Sequence, residues 1–340
     1  MIKIKLHELD KHRNECTFRP YIWAENTLKE IGIEFTQGDS YDYSWIAQSS
    51  LIDKKVSLNE SINKGLDFLS KIDGDYMILD GQDSTSLLGI YEIFSQSDAL
   101  FLLKNCLLKN RSLYKQGWKT GRYIWGEGEY QIEDFDKYSD RILLSGTNWL
   151  STHWAGANVK WHNNPNKIYD ISAMFGYPSL KENIEYNTRI DTIYDSSRKQ
   201  AIEVIKNLKC KVAKLDKGKR VSINEYYNKM ANSKIIFAPF GYGAVAVRDL
   251  ESAMFGSILL KPNMSEIDTF PNVYIDKETY VSCNLDYSNL EEKINEILGY
   301  SKDDYYIIVN NLRNKLLDSM NPEMLALHLY KIFKKIKNIE

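Results

Sequence analysis

The chain is poor in cysteine, in histidine and in net charge. Its 340 residues hold four cysteines, Cys16, Cys106, Cys210 and Cys283, and no CxxC pair. That excludes a zinc ribbon, and cysteines so scattered read as reduced, buried thiols of a cytoplasmic protein. The five histidines are dispersed, so a zinc hydrolase has no cluster to build on. Lys plus Arg is 44 against 46 for Asp plus Glu, a formal charge of −2. A global basic footprint for nucleic acid is therefore absent. No apolar run approaches the length of a membrane span. Met1-Ile-Lys-Ile-Lys-Leu6 opens as an alternating strand rather than as the apolar core of a signal peptide. The phosphate-loop pattern GxxxxGK[ST] is also missing. These absences predict a soluble, cytoplasmic protein.

What is present is a globular composition, 43% apolar and 26% charged, in a length that suits two domains. The first half alternates strands with helices. Strands are predicted over 2–6, 33–35, 75–79, 99–103 and 141–145, and helices over 21–31, 59–71 and 85–97. Short links between parallel strands and crossover helices give a parallel sheet. Between 115 and 165 the pattern gives way to Gly and Trp, and Asn163-Asn-Pro-Asn166 is the strongest turn cluster. The alternation then restarts, with strands at 168–174, 210–214, 234–238 and 257–261. Helices are expected over 192–208, 223–231, 244–255, 287–298, 303–318 and 322–337. The fold class is thus α/β, two doubly wound, Rossmann-like domains facing across a cleft. Residues 1–164 form the first, 165–320 the second, and 321–340 a helix that crosses back to the first.

The richest stretch is 226–262. A strand ends at Ala238, a turn contains Pro239, Gly241, Tyr242 and Gly243, and a helix begins near Ala244. The N–H groups and dipole of such a helix start favour an anion such as phosphate. Glycines there let a ligand approach the backbone. Arg248 and Glu251 share one helix face, Glu251 about 10 Å from the helix start. That is the spacing of a diphosphate from the ribose of its nucleotide, with Arg248 on phosphate and Glu251 on ribose hydroxyls. A surface ion pair would account for the same two residues.

The order of these elements resembles the donor half of the GT-B glycosyltransferases, in particular the exostosin-like and group 1 sequences. The matching residues are Tyr227, Ala231-Asn-Ser-Lys234, Ala238-Pro239, the glycine turn, Arg248-Asp-Leu-Glu251 and Ala253-Met-Phe-Gly256. The resemblance covers roughly 165–300. It implies a sugar donor bound through its nucleotide, UDP- or GDP-linked, with Glu251 on the ribose and no other cofactor. It implies transfer to a glycan or other hydroxyl acceptor, as in polysaccharide biosynthesis. Retaining members carry an E-x7-E pair; here Gly243 stands where the first glutamate would be. The family also places a basic residue after the first donor-domain strand, and Arg189 fits. Lys261, ending a strand on the same side, is a further donor-binding candidate.

In the first half, Asp80-Gly-Gln-Asp83 follows a parallel strand, at the edge where open α/β sheets bind ligands. A base for the acceptor hydroxyl is expected there: Asp83, then Asp80, with His153 a third candidate. Asp80 closing the turn is the competing reading. No metal is required, and Asp73-Gly-Asp75 precedes its strand, unlike the metal motif of a GT-A transferase. Two alternatives remain, a non-catalytic nucleotide-sugar-binding module and a transferase acting on hydroxylated bases of phage DNA. The second rests on a local basic cluster, Lys104, Lys109, Arg111, Lys115, Lys119 and Arg122.

Overall fold

The computed structural model describes the chain except for residues 9–16, 54, 83, 117–130, 149–152, 156–158, 176–197, 199, 215–220, 242 and 338–340. The chain divides into two units. The first comprises Met1–Ala157, Ile267–Asn272 and Met320–Glu340; the second comprises Asn158–Glu266 and Val273–Ser319.

The first unit is built on β1 (Ile2–Leu6), β2 (Ile33–Thr36), β3 (Tyr43–Ala47), β4 (Tyr76–Asp80), β5 (Phe101–Lys104), β6 (Cys106–Leu108) and β7 (Ile142–Leu144). Six of these form one parallel sheet in the order β2-β1-β3-β4-β5-β7. Every residue of β3, β4 and β5 is buried, as expected where helices cover both faces. On one face, α1 (Arg19–Trp23) and α2 (Glu25–Glu30) pack beside Ile4, Trp45 and Met77. On the other, α3 (Leu58–Leu69) and α4 (Ile90–Ser95) pack on Ile46, Ile78 and Leu102. Ser57 caps α3 by accepting the Glu60 N–H.

The second unit contains β8 (Tyr169–Ala173), β9 (Val212–Lys214), α5 (Ile223–Ala231), β10 (Ser233–Phe237), α6 (Val247–Met254) and β11 (Ile258–Pro262). After β12 (Ile267–Thr269), which pairs antiparallel with β6 in the first unit, come β13 (Val281–Cys283), α7 (Leu290–Leu298) and α8 (Lys302–Ser319). Its parallel sheet runs β13-β11-β10-β8-β9. The last helix, α9 (Pro322–Lys337), sets Leu325, Ala326, Leu329, Ile332 and Phe333 into the core of the first unit. Phe333 stacks on Trp45 with ring centroids 6.3 Å apart.

Both sheets share one topology. The first strand, β1 or β8, lies between the second and third, so strand order reverses at β1/β3 and at β8/β10. Ligands of open α/β sheets bind outside the carboxyl ends of the strands at such a reversal.

Three elements depart from the sequence reading. Strand β3, Tyr-Ser-Trp-Ile-Ala, is central yet was not anticipated, because a strand buried on both faces shows no alternation. The helix expected over 85–97 is only Ile90–Ser95. It starts after Gly89, whose φ of +81° and N–H, donated to the Glu92 carboxylate, set its first turn. Helix α6 starts at Val247 instead of Ala244, because the Asp249 side chain accepts the Ala246 N–H and fixes the start there.

Candidate functional site

Of the sequence-predicted donor residues, Gly241, Gly243, Arg248 and Glu251 follow β10 at the β8/β10 reversal. Beyond β10, Ala238 stays in register by donating its N–H to Leu260 O. The turn closes through Gly241 N–H to Gly243 O at 3.1 Å. Ala246 is extended, and α6 begins behind it. Among the described residues nothing accepts the backbone N–H groups of Val247 and Arg248. These are the first-turn donors that an α-helix leaves over, at the positive end of its dipole.

Arg248 reaches across the reversal. Its Nε donates to Met174 O, just past the end of β8, at 3.3 Å, and its side chain is part-buried. Among the described residues its terminal guanidinium nitrogens make no hydrogen bond. Glu251, one turn further, is 6% exposed and accepts the Tyr226 hydroxyl on Oε2 at 2.6 Å. Burial pushes its carboxyl above the usual carboxylate range, and the Asp249 charge adds to this; Tyr226 and Arg248 act in the opposite sense. Burial likewise raises the Tyr226 phenol, so that hydroxyl remains a donor. Tyr227 beside it is 41% exposed, its ring 5.5 Å from that of Phe255. One helix therefore presents anion-binding N–H groups, an arginine and a buried carboxylate in order along its length.

Lys261 does not present its ammonium to a ligand, as the sequence suggested it would. It is fully buried, paired with Asp249 and donating to Ala244 O at 2.7 Å. Its strand ends inside the unit, so the side chain turns into the fold. Gly241 and Gly243 lie in the turn; Tyr242, Arg189 and Asp83 lie outside the described residues.

In the first unit Asp80 is 2% exposed, with Oδ2 paired to Lys104 Nζ at 2.7 Å and Oδ1 accepting the Gln82 N–H at 2.9 Å. Each oxygen accepts a hydrogen bond from within the fold, which is the turn-closing arrangement. His153 is half-buried in a short helical turn, where burial and then Arg19 lower its pKa. Of the basic cluster, Lys104 is buried on Asp80, Arg111 is paired with Asp268 at 3.0 Å and Lys115 with Asp136. Lys109 is exposed, and Lys119 and Arg122 lie outside the described residues. Three of the charges expected to face a duplex are thus already matched. Among the described residues no group of three or more His, Cys, Asp or Glu is placed to hold a metal ion. No described helix is long and apolar enough to cross a membrane.

Sequence reasoning missed Asp249 and Tyr226. Asp249 sits three residues after the cap, a capping-box spacing, but Ala246 lacks the hydroxyl that marks such a box. It also missed the β1/β3 reversal, where His7 contacts Ser44 Oγ at 3.1 Å. There Glu8, at φ 52°, accepts the Ser50 hydroxyl. Only the strand order distinguishes that edge.

No family model matches the sequence, and no curated protein matches it. Among solved structures, sucrose-phosphate synthase from Thermosynechococcus elongatus matches over 100% of both chains, with a TM-score of 0.51 at 12% identity. A glycosyltransferase from Rickettsia africae ESF-5 matches over 98% of both chains, with a TM-score of 0.38 at 13% identity. An alpha-glucosyltransferase solved with UDP and a 13-mer DNA containing an HMU base matches over 98% of both, at 0.48 and 12%. The likeness to the synthase is one of fold: this chain has the GT-B fold, with two Rossmann-like, parallel-sheet units.

Proposed function

We propose that the protein is a glycosyltransferase that moves a sugar from a nucleotide diphospho-sugar, UDP- or GDP-linked, to an acceptor hydroxyl of a glycan or surface polysaccharide. The observation that carries this reading is α6 at the β8/β10 reversal. Its unclaimed Val247 and Arg248 N–H groups and the Arg248 guanidinium form one anion site. With the helix starting at Val247, Glu251 stands about 6 Å along the axis instead of the roughly 10 Å expected from a start at Ala244, and the length of the glutamate side chain makes up the span to a ribose. A diphosphate on the N–H groups brings the ribose of the same nucleotide to that carboxylate.

In the reaction the acceptor oxygen bonds to the anomeric carbon as the carbon–oxygen bond to the diphosphate breaks. A base takes the hydroxyl proton and the nucleoside diphosphate departs. The helix start and Arg248 stabilise the charge that develops on it, so the reading calls for no metal ion. We assign the base to the first unit; with Asp80 occupied by Lys104 and Gln82, Asp83 is the remaining candidate of that turn. Fold likeness to a sucrose-phosphate synthase supports a sugar substrate. A cytoplasmic setting agrees with Cys106, Cys210 and Cys283 being free thiols.

Thermal-shift measurements with UDP, GDP, ADP and CMP and their sugars test the proposal. At least one pair raises the melting temperature, by the equivalent of about 2.7 kcal/mol at a hundred times its Kd. A panel without any rise removes the donor site.

A further inference from the structure

The anion-binding end of α6 carries a carboxylate. Asp249 folds back so that Oδ2 accepts the Ala246 N–H at 3.1 Å, the Tyr274 hydroxyl at 2.6 Å and Lys261 Nζ at 2.5 Å. Its Oδ1 has no hydrogen-bond partner, and the residue is 1% exposed. Such a carboxylate stabilises the empty helix start. It also opposes any phosphate brought to the neighbouring Val247 and Arg248 N–H groups. Two like unit charges roughly 6 Å apart, at an effective dielectric constant of about 20, oppose binding about a hundredfold.

Lys261 comes from β11, a different element, and is fully buried. Besides Asp249 it holds Ala244 O, and its Nζ lies 4.5 Å from the Tyr274 ring centre and 5.7 Å from that of Phe240. A methionine would fill this space at a lower desolvation cost. What the ammonium adds is charge, at the carboxylate that caps the start of α6.

We propose that Lys261 is a positioning residue for donor binding: it neutralises Asp249 and pins the turn at Ala244, so that α6 can be capped by a carboxylate and still receive a diphosphate. This rests on the donor-site reading above and assigns that site a charge-compensating pair that touches no ligand. The other groups facing the pair are Tyr274 and Tyr280 from the segment before β13 and, on α6 itself, Arg248 and Glu251, the last bonded to Tyr226 of α5. All of these are common to the variants below.

Calorimetric titration with UDP and with GDP tests this on wild type, Lys261→Met, and Lys261→Met combined with Asp249→Asn. The single variant binds about 10–100-fold more weakly. Adding Asp249→Asn recovers about tenfold or more. Wild-type affinity in Lys261→Met, or a double variant no better than the single, overturns the inference while leaving the donor site intact. A wild type that binds neither nucleotide removes both. If Lys261→Met does not fold, Asp249→Asn alone decides. It keeps an oxygen for the Ala246 N–H and leaves Lys261 uncompensated, so it binds nucleotide several-fold more tightly than wild type. Weaker binding overturns the proposal.

Discussion

Replacing Glu251 with glutamine separates the stability of the second unit from the function proposed for it. Glu251 is 6% exposed, and burial is the main cause of its raised carboxyl pKa. A raised folded-state pKa is a contribution to stability fully present below the unfolded value, about 4.3, and lost as pH rises through the folded one. At neutral pH the wild-type protein therefore holds a charge in an unfavourable place. Glutamine has the same shape, keeps an oxygen for the Tyr226 hydroxyl and carries no charge. The variant should be more stable near pH 7 by about 1 kcal/mol, a rise of roughly 2–4 °C in Tm. The advantage vanishes as pH falls toward 4. Nucleotide binding moves the other way. Hydrogen bonds to a charged acceptor contribute about 1.5–3 kcal/mol and to a neutral one about 0.5–1.5. The ribose contact should therefore weaken about 5–30-fold. Thermal unfolding between about pH 4 and pH 8 and calorimetric titration with UDP or GDP give both numbers. A Tm lower than wild type at neutral pH refutes the desolvation reasoning, and an unchanged affinity removes Glu251 from the donor site.

Two further outcomes follow from buried groups in the first unit. Lys104→Met strips Asp80 of its counter-charge in a site where both side chains are at most 3% exposed, so urea unfolding should show a loss of about 3–5 kcal/mol. Neutralising the carboxylate as well, with Asp80→Asn, should recover part of it. His328 has its pKa lowered, chiefly by burial; its Nε2 lies 2.9 Å from Leu144 O and its ring is stacked 3.9 Å from that of Phe270. A depressed histidine pKa gives stability that is present above the unfolded value, about 6.5, and lost as pH falls through the folded one. Unfolding free energy should therefore drop between about pH 7 and pH 5, and His328→Gln should flatten that slope.

The α/β class was legible because turn residues punctuate alternating strands and periodic helices, and the last three helices lie close to where their spacing puts them. Strand β3 was not legible: its five buried residues carry no period-two signal. Strands β12 and β13, three residues each, are too short to carry one. Strand order is set by which strands pair, so neither reversal point is written in any local segment. The site residues divide along the same line. Arg248 and Glu251 could be paired as candidates because their spacing on one helix is local. Asp80 and Lys261 are paired inside the core, which no local segment shows, because a charge at a strand end looks the same whether it faces a ligand or the core. Their partners decide, and those stand 24 and 12 residues away. Tyr226, 25 residues from Glu251, escaped for the same reason.

The most direct test is a crystal structure of the protein with whichever nucleoside diphosphate raises its melting temperature. The account predicts the diphosphate on the Val247 and Arg248 N–H groups, the Arg248 guanidinium against it and the ribose hydroxyls on Glu251. A diphosphate bound anywhere other than the start of α6, or a ribose turned away from Glu251, contradicts it.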